Sequence, residues 1–530
     1  MTNKLKRLLA LSFVVVLILG LIACGKEDSE TTSDLTTTSS ASSEGSSSSD
    51  DTTTTKSGAT TKANGKTTVK ATSAVQTITD AQGYSKISPL IERTTNNRGN
   101  ASASFINGLK GYELEIFYPW ELQKQESTLG QSAAYARQEV EKEFGVTIKE
   151  DGVWASYNEN LAAKLTSRSC DAQIYMAQDF NYASYFKNQY LSDLTNAMSK
   201  AAVDFKDPWY NQNASAFLNI NYKQYGWIAY DMQSEYVFPY VIIYNKTLID
   251  DARLTDPATL AEQGKWTWDT LQTYAKRLTN TSKGVTGFAT IDATQMLASM
   301  VAQKGNSLVQ VSKGSTPAPN IENQTVKECL STLVNWCGDG GICETWSNQS
   351  WTYPKTQFAK GKVAMIYGFH DTIKQLNSSG TVNNEFGLVQ FPMPTESKTY
   401  INVSIPQFVN FIPSQYQNEA PEILFLRNEL YRQNYRFIQR DFQVLWKDYF
   451  TDTDVLSYAC NIKFERGNNE TVMDWRSVAE ETGVGKTSTT TVVKEAISTK
   501  SVQSAIDKYK SGLQKNYETV WEGYKITGNV

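Results

Sequence analysis

Strand patterns and helix patterns alternate along the chain from residue 112, and this alternation limits the possible folds more than any other feature. Residues 112–118 alternate apolar and charged side chains, which is typical of a strand with one buried face. Residues 133–144 carry apolar side chains at helical spacing, and a second strand pattern covers 146–149. A helix pattern over 157–167 and a third strand pattern over 172–177 follow. Strands that alternate with helices predict an α/β fold with a mostly parallel sheet.

Similar patterns further along the chain predict a second sheet. The expected elements are a strand pair at 225–230 and 237–244, strands at 284–290, 386–391 and 403–412, a helix end and strand over 358–368, a helix with Thr267 as N-cap, and an amphipathic helix over 499–524. We assign no secondary structure before about residue 110, where the composition is polar. The remaining chain is longer than one hydrophobic core normally spans, so the sequence predicts two lobes.

The N-terminus carries the signature of an exported protein. Basic residues within the first seven positions precede an apolar run over 8–23, which is shorter than the roughly 20 residues of a membrane-spanning helix. The run ends in Leu21-Ile22-Ala23 before Cys24, which resembles the lipobox of bacterial lipoproteins. We therefore expect a signal peptide at 1–23 and acylation, for example by palmitate, of Cys24, which would anchor the protein on the extracellular face of the cell membrane. The alternative is an ordinary secretory signal with an incidental cysteine.

For residues 24–110, the sequence predicts a lipidated cysteine followed by a disordered tether and a lead-in segment. Ser and Thr dominate 25–74, so this stretch has few side chains that could enter a core. A flexible chain of this length reaches about 40 Å, enough to hold a domain away from a crowded surface.

Composition excludes several classes of function. The formal net charge is −4, which gives no electrostatic reason to expect a nucleic-acid partner. His370 is the only histidine, so a multi-histidine zinc site is excluded and a Ser-His or Cys-His hydrolase is disfavoured. We predict no cofactor and no metal. Beyond Cys24 five cysteines remain, and Cys337 and Cys343 flank a glycine-rich turn where they form either a bridge or two free thiols.

Four segments resemble the extracellular solute-binding proteins of bacterial ABC importers, the family that contains maltose-binding protein. They are Val237 to Lys246 ending in Tyr-Asn-Lys, Thr267-Trp268-Asp269-Thr270-Leu271 at a helix start, Phe358 to Met365 with its Gly-Lys-x-Ala-Met ending, and Gly387 to Pro394 with its Pro-x-Pro ending. Thr270 stands where the family usually has an acid. The resemblance covers residues 112–525, although 196–224, 415–444 and 459–494 are longer or less typical than expected.

The resemblance implies two α/β lobes joined by crossing strands, a periplasmic-binding-protein-like fold. It implies a monomer that captures an extracellular solute, a sugar or oligosaccharide, by lobe closure and delivers it to membrane permease subunits, without enzymatic activity. The predicted divisions are 111–242 for the first part of lobe 1, 243–398 for the first part of lobe 2, 399–450 for the return to lobe 1, and 451–530 for a C-terminal helical segment mainly on lobe 2.

Loops at strand ends supply the candidate ligand contacts, because ligands of open α/β sheets bind beyond the carboxyl ends of strands. The candidates are Tyr118, Trp120, Asp179, Phe180, Asp231, Glu235, Asp292, Trp346, Trp351, Phe369, His370 and Asp371. Core packing, helix capping and solvated loops are the alternative roles for these side chains. A rim of carboxylates, amides and rings suits neutral polyols better than phosphates, which favour arginine and helix N-termini.

Two other classes of function remain open at this point. A surface glycoside hydrolase would need two acids about 5 to 9.5 Å apart, and a chain with 55 acidic residues contains such pairs by chance. A carbohydrate-binding adhesin is disfavoured by the strand and helix alternation. The run Gly483 to Thr487 resembles a phosphate-binding loop only weakly, because Glu480 stands at the position of the first glycine.

Overall fold

The structure is a computed structural model, and it describes two-thirds or more of the chain. The described residues are 78–79, 85–86, 101–122, 126–229, 239–345, 349–350, 352–369, 372, 385–405, 408–447, 458–459, 462, 468–482 and 485–530. The chain divides into two units, Met1–Ser73 and Ala74–Val530, and every described residue belongs to the second. Within these ranges, no helix combines the length and the apolar character that crossing a membrane requires.

Seventeen strands are formed by the described residues. They are β1 Ile78–Thr79, β2 Ser85–Lys86, β3 Glu113–Tyr118, β4 Thr147–Gly152, β5 Ile174–Gln178, β6 Asn219–Ile220, β7 Lys223–Gln224, β8 Val241–Asn245, β9 Thr286–Thr290, β10 Val309–Gln310, β11 Ala318–Pro319, β12 Cys343–Glu344, β13 Val363–Gly368, β14 Phe386–Gln390, β15 Tyr400–Ser404, β16 Phe408–Phe411 and β17 Asn469–Met473.

Helices connect most of the longer strands in the described part of the chain. They are α1 Ala103–Gly108, α2 Thr128–Phe144, α3 Tyr157–Ser167, α4 Asp179–Lys187, α5 Thr195–Ala201, α6 Gln212–Phe217, α7 Lys246–Asp251, α8 Pro257–Glu262, α9 Trp268–Leu278, α10 Ala293–Gln303, α11 Gln324–Cys337, α12 Tyr353–Ala359, α13 Ala420–Lys447, α14 Arg476–Ala479, α15 Thr489–Thr499 and α16 Val502–Trp521.

The first lobe is built on a four-stranded sheet with the order β16-β5-β3-β4. β3 runs parallel to β4 and β5, whereas β16 is antiparallel to β5. Side chains of successive residues point to opposite faces of a strand. Leu114 and Ile116 of β3 are accordingly buried in one core with residues of α2 and α13, and Tyr175 of β5 is buried in the other core with Tyr157 and Leu161 of α3. Both faces of the sheet are thus covered by helices.

The second lobe is built on a five-stranded sheet with the order β12-β9-β13-β8-β14. β9 is parallel to β12 and β13, and β8 is antiparallel to both of its neighbours, β13 and β14. All five residues of β8 are buried, as expected for an apolar strand that is covered on both faces. The carboxyl ends of β9 and β13 and the amino end of β8 therefore lie at one edge of the sheet.

A small parallel sheet and the C-terminal helices connect the two lobes. β15 pairs with β17, and the backbone N–H of Asp474 donates to the carbonyl of Ser404 across 2.9 Å, which continues the pairing by one residue. α15 packs on α10 and α11 of the second lobe, while α16 contacts both α11 and α4. Phe186 of α4 stacks on Trp521 of α16 with ring centroids 5.4 Å apart. The C-terminal helices therefore touch helices of both sheets.

The predicted α/β architecture is confirmed, and several predicted elements agree closely with the structure. The side chain of Thr267 accepts a hydrogen bond from the N–H of Thr270, so it caps α9 as the sequence indicates. The predicted apolar face of this helix, which includes Leu271 and Leu278, is buried. The helix predicted over 157–167 has the bounds of α3. In these places, local capping signals and regular hydrophobic periodicity are sufficient to predict the helices.

Three predictions of secondary structure were wrong or incomplete. Residues 225–229 do not pair with β8, because β8 already has a neighbour on each side; Trp227 and Ala229 instead form isolated bridges to Asn410 and Tyr210. The strand predicted over 403–412 is two strands, β15 and β16, in different sheets. Pro406 stands between them in the sequence and has no N–H for a sheet hydrogen bond. α1 also forms ahead of residue 110, with its N-terminus capped by Ser102.

Candidate ligand-binding site

Loops from both lobes and from the small sheet meet at a polar cluster around Arg476. Asp179 follows β5 in the first lobe, Asp292 follows β9 in the second, and Asp474 follows β17. All three carboxylates lie close enough to Arg476 to interact electrostatically with its guanidinium. The cluster therefore lies where the carboxyl ends of strands converge, which is the position at which open α/β sheets bind ligands.

Arg476 is the single cation of this cluster among the described residues. Its side chain is only 12% exposed, with Nη2 3.3 Å from Oδ2 of Asp474 and 3.4 Å from Oε1 of Gln295, to which it donates. The surrounding carboxylates are those of Asp179, Asp292, Asp474 and Glu480. Burial lowers the pKa of Arg476, but these carboxylates outweigh the burial and hold its pKa above the usual range. Carboxylates outnumber the guanidinium, so the cluster favours neutral or cationic ligands over anions.

Asp179 is the first-lobe member of the cluster and is 6% exposed. Burial raises its pKa to about 6, and the negative charge of Asp474 acts in the same direction. Ser477, the N–H of Phe180 and the charge of Arg476 oppose this shift but only in part. Asp179 is therefore a carboxylate near neutral pH that gains a proton under mildly acidic conditions.

Two buried nitrogen donors of the cluster have no hydrogen-bond partner among the described residues. They are Nε2 of Gln295, a side chain that is 1% exposed, and Nε of Arg476. A buried donor without a partner costs free energy, about 1 to 3 kcal/mol in proteins, and native structures contain few of them. Both donors belong to side chains that contact each other, since Nη2 of Arg476 donates to Oε1 of Gln295, so the two side chains form one polar group.

Aromatic rings cover the second-lobe side of the cluster. Tyr240 immediately precedes β8, and its pKa is raised by burial and by the charges of Asp292 and Asp179, which places its phenol beside both acids. The ring of Tyr240 stacks on Tyr367 with centroids 5.4 Å apart and lies 5.2 Å from Phe369. Phe369 is half-buried, so part of its ring remains accessible. This wall places apolar ring faces next to a polar cluster.

Two exposed aromatic side chains lie at the same edge of the first-lobe sheet. Trp154 follows β4 and is 60% exposed, and Phe180 follows β5 and is 39% exposed. β4 and β5 flank β3, so the ends of these two strands are separated by two strand spacings, about 10 Å. Ser156, next along the chain from the Trp154 loop, has a φ of +55°, a backbone strain that is uncommon for residues other than glycine. These rings extend the candidate site outward from Asp179.

Tyr118 and Trp120 end β3 beneath this edge, and both take part in packing. Tyr118 is fully buried, donates to Glu150 at 2.9 Å and accepts from Arg427 at 3.1 Å. Trp120 is half-buried against Tyr118 and lies 4.8 Å from the ring of Phe408, while its Nε1 has no partner in the described part of the chain. The Nε1 donor of Trp120 is thus buried, and the ring of Tyr118 is covered.

A glycine allows the chain after β3 to cross the end of β4. A Cβ atom built on Gly152 would lie 2.1 Å from the carbonyl oxygen of Trp120, closer than real Cβ contacts permit. The position of Trp120 at this edge therefore depends on a residue without a side chain at 152.

The structure brings together four of the predicted contacts, Asp179, Phe180, Asp292 and Phe369. Asp292 also caps α10, because its Oδ1 accepts from the N–H groups of Thr294 and Gln295 at 2.8 and 3.1 Å. Six predicted contacts lie outside the described residues: Asp231, Glu235, Trp346, Trp351, His370 and Asp371. The predicted lipidation site, Cys24, also lies outside them.

Sequence reasoning missed Tyr240, Gln295, Asp474, Arg476 and Trp154. Asp474 and Arg476 lie within 459–494, a segment singled out only for its unusual length, and no local pattern connects it with β5 or β9. Trp154 was detectable in principle, because it follows a predicted strand by the same rule that selected Trp120.

A cavity of about 780 Å³ lies beside the cluster. Residues of α10, β15 and β17 line it, together with the chain end at 529–530. Asp474 belongs to both the cavity wall and the cluster, but Asp179, Asp292 and Arg476 do not line the cavity. We therefore treat the cavity as separate from the candidate site. Nowhere in the described ranges are three His, Cys, Asp or Glu side chains grouped as metal ligands.

Comparison with protein families identifies the class of protein that this fold and site define. A family model described as bacterial extracellular solute-binding protein matches residues 126–409, more than half of the 530 residues. The chain therefore belongs to the family of bacterial extracellular solute-binding proteins. This confirms the family resemblance found in the sequence. Among curated protein sequences, none matches the chain significantly.

Solved structures show the same two-lobed fold. The maltose-binding periplasmic protein MalE of Listeria monocytogenes, solved in complex with maltose, is 16% identical, with a TM-score of 0.51 over 76% of this chain and 97% of that chain. UspC of Mycobacterium tuberculosis is 12% identical, with a TM-score of 0.50 over 76% of this chain and 100% of that chain. At these identities the likeness establishes the periplasmic-binding-protein-like fold and leaves the ligand to be argued from this chain's own residues.

Proposed function

We propose that this protein captures a neutral carbohydrate between its two lobes and delivers it to the permease of an ABC importer. The cluster around Arg476 carries the proposal, because it joins strand ends of both lobes with buried acceptors and unpartnered donors. Each sugar hydroxyl donates and accepts, so one ligand can satisfy Nε of Arg476, Nε2 of Gln295 and the carboxylate of Asp179. Few other neutral solutes offer this many paired donors and acceptors.

The charges of the cluster argue for a neutral ligand rather than a phosphorylated or carboxylated one. An anion that approached Arg476 would also approach the carboxylates that surround it. At low dielectric the repulsion from several acids exceeds the attraction of one guanidinium. The rings of Tyr240, Phe369 and Phe180 would stack on the apolar faces of the sugar. The ligand of the structurally similar MalE, maltose, belongs to the same chemical class.

Capture by lobe closure follows from the position of the cluster. A ligand that contacts Asp179 in the first lobe and Asp292 in the second binds the closed arrangement more tightly than an open one, and so shifts the equilibrium towards closure. We propose that the lobes move relative to each other about the connections between the two sheets, and that the permease recognises the closed form. In this account the protein acts as a monomer and catalyses no reaction.

Attachment to the cell surface is the second part of the proposal. The Leu21-Ile22-Ala23-Cys24 sequence supports acylation of Cys24, and residues 25–74 would then act as a tether. A Cys24→Ser variant should be released into the medium or retained unprocessed. Correct cleavage with continued membrane attachment of this variant would show that the cysteine is not the anchor.

One observation favours a second candidate, a glycoside hydrolase. Asp179 has a pKa raised to about 6 and lies near other carboxylates, which is the arrangement of a general acid beside a nucleophile or base. However, Asp474 is paired with Arg476 and Asp292 caps α10, so both acids already have structural roles. Family membership also favours binding over hydrolysis.

One experiment separates binding, hydrolysis and the absence of carbohydrate recognition. The protein is melted with a panel of mono- and oligosaccharides, and each mixture is then analysed chromatographically for products. A ligand at 100 times its Kd should stabilise the protein by about 2.7 kcal/mol. We expect stabilisation by a narrow set of sugars and no products. Released products would support the hydrolase, and a panel without any stabilising sugar would contradict carbohydrate capture.

A further inference from the structure

Two cysteines of the second lobe stand at the two ends of one tight turn. Four cysteines lie in the described part of the chain, and all four are free thiols. The thiols of Cys337 and Cys343 lie close enough for Cys337 to raise the pKa of Cys343. Cys329 lies about two helical turns earlier in α11, and Cys170 lies in the first lobe, where its backbone is held by Gln415. Cys337 and Cys343 are therefore the candidates for a covalent link within this part of the chain.

A tight glycine turn positions these two cysteines. Cys337 is the last residue of α11 and Cys343 is the first of β12. Between them the N–H of Gly341 donates to the carbonyl of Gly338 at 2.8 Å, and Gly340 has a left-handed φ of +78°. A Cβ on Gly341 would lie 2.2 Å from the carbonyl oxygen of Trp336, so the turn requires glycine there. The backbone thus fixes the approach of the two sulfur atoms.

We propose that Cys337 and Cys343 form an intramolecular disulfide when the protein meets a disulfide oxidant in an oxidising environment. The thiolate of Cys337 attacks the oxidant's disulfide and releases one thiol, which leaves a mixed disulfide on Cys337. Cys343 then loses its proton to solvent and attacks the Cys337 sulfur, releasing the second thiol. Two electrons and two protons pass to the oxidant, which ends as two thiols.

The order of these steps follows from accessibility. Cys337 is half-buried and can be reached from solvent, whereas Cys343 is 4% exposed. Burial raises the pKa of Cys343, and the hydrogen bond with Cys337 raises it further, so Cys343 is the poorer initial nucleophile. Once Cys337 carries the mixed disulfide, the tight turn that separates the two residues gives Cys343 a short path to its target.

The bond would fasten the edge of the second-lobe sheet. It closes a ring of seven residues that joins the end of α11 to β12, the edge strand beside β9. Asp292 of the candidate site follows directly from β9. Cross-linking restricts the unfolded chain, so the oxidised protein should resist unfolding better than the reduced one.

The test uses the full-length protein in detergent, treated with oxidised glutathione or with a reducing agent and then alkylated. We expect the oxidised sample to lose two alkylatable thiols, to yield a peptide in which residues 337 and 343 are linked and about 2 Da lighter, and to melt several degrees higher. Cys337→Ser and Cys343→Ser should each abolish the difference in melting temperature. Cys460→Ser serves as the matched control and should retain it.

Either of two results would overturn the proposal. One is that both thiols remain alkylatable after prolonged oxidation of the folded wild-type protein. The other is that mass mapping finds a disulfide that joins Cys337 or Cys343 to a different cysteine. The mapping of the wild-type protein decides the matter even if a serine variant fails to fold.

Discussion

Nη2 of Arg476 donates to Oε1 of Gln295 across 3.4 Å, and this bond joins the segment after β17 to the first turns of α10. The two residues are far apart in the sequence, and the same guanidinium also interacts with Asp179 of the first lobe. Arg476 is therefore a point at which three separate parts of the fold are held together. Its charge is opposed by several acids, so substitutions of the cation and of an acid should have opposite effects on stability.

Removal of the cation should destabilise the protein. In Arg476→Gln the carboxylates of Asp474 and Asp179 lose their only nearby positive charge among the described residues, and breaking a buried ion pair from one side costs about 3 to 5 kcal/mol. We expect a marked fall in the melting temperature of the ligand-free protein. Arg432→Gln is a suitable comparison, because Arg432 is equally buried and paired with Glu429, but lies in the first lobe away from the cluster. If Arg476→Gln left the melting temperature unchanged while Arg432→Gln lowered it, Arg476 would not be the charge that stabilises the cluster.

Removal of one acid should stabilise the ligand-free protein and weaken binding. The pKa of Asp179 is raised from 3.8 to about 6, so its ionisation opposes folding by up to about 3 kcal/mol above pH 6. The sign follows because the unfolded state releases this proton at lower pH than the folded state. Asp179→Asn should therefore raise the melting temperature at pH 7.5, and the gain should disappear near pH 4. A loss of stability at pH 7.5 would contradict the proposed charge balance.

Ligand affinity should depend on pH through the same residue. The ionised carboxylate of Asp179 accepts hydrogen bonds from sugar hydroxyls more strongly than the protonated form does. Affinity of the wild-type protein should fall several-fold as the pH is lowered through about 6, as measured by isothermal titration. The Asp179→Asn variant should bind more weakly at neutral pH and show a much smaller change. Parallel pH profiles for both proteins would exclude Asp179 as the titrating contact.

The exposed aromatic rim should act on longer ligands only. Trp154 is 60% exposed and lies about two strand spacings from the end of β5, so it can stack on an outer sugar unit. Trp154→Ala should weaken binding of a stabilising oligosaccharide by about fivefold and leave its monosaccharide and the melting temperature nearly unchanged. Tyr222→Ala is the matched control, because Tyr222 is 79% exposed but lies in the β6–β7 turn. Equal effects of the two substitutions would remove Trp154 from the site.

Much of the fold could be predicted from the sequence because its signals are local. The bounds of α3 and the cap of α9 follow from hydrophobic spacing and from a single threonine. The partners of β8 could not be predicted in this way, because a strand's neighbours depend on residues more than a hundred positions away. The break between β15 and β16 had a local signal in Pro406, but the apolar pattern on both sides suggested one continuous strand.

The candidate site was predicted only where it follows strand ends that the sequence reveals. Asp179 and Asp292 were found by that rule. Arg476 was not found, because β17 is polar and pairs with β15 only in the folded chain. The sequence predicts a rim of carboxylates, amides and rings, and this prediction does not include the arginine of the cluster. The part of the site that sequence patterns do not predict therefore depends on pairing between strands that are far apart in the sequence.

The most direct test of the central claim is the radius of gyration measured by small-angle scattering, with and without a sugar that stabilises the protein in the melting screen. We expect a smaller radius on addition of that sugar to the wild-type protein, because the ligand would join Asp179 in one lobe to Asp292 in the other. Asp179→Ala at the same sugar concentration should show a reduced change. Saturating binding to the wild-type protein with no change in radius would contradict capture by lobe closure.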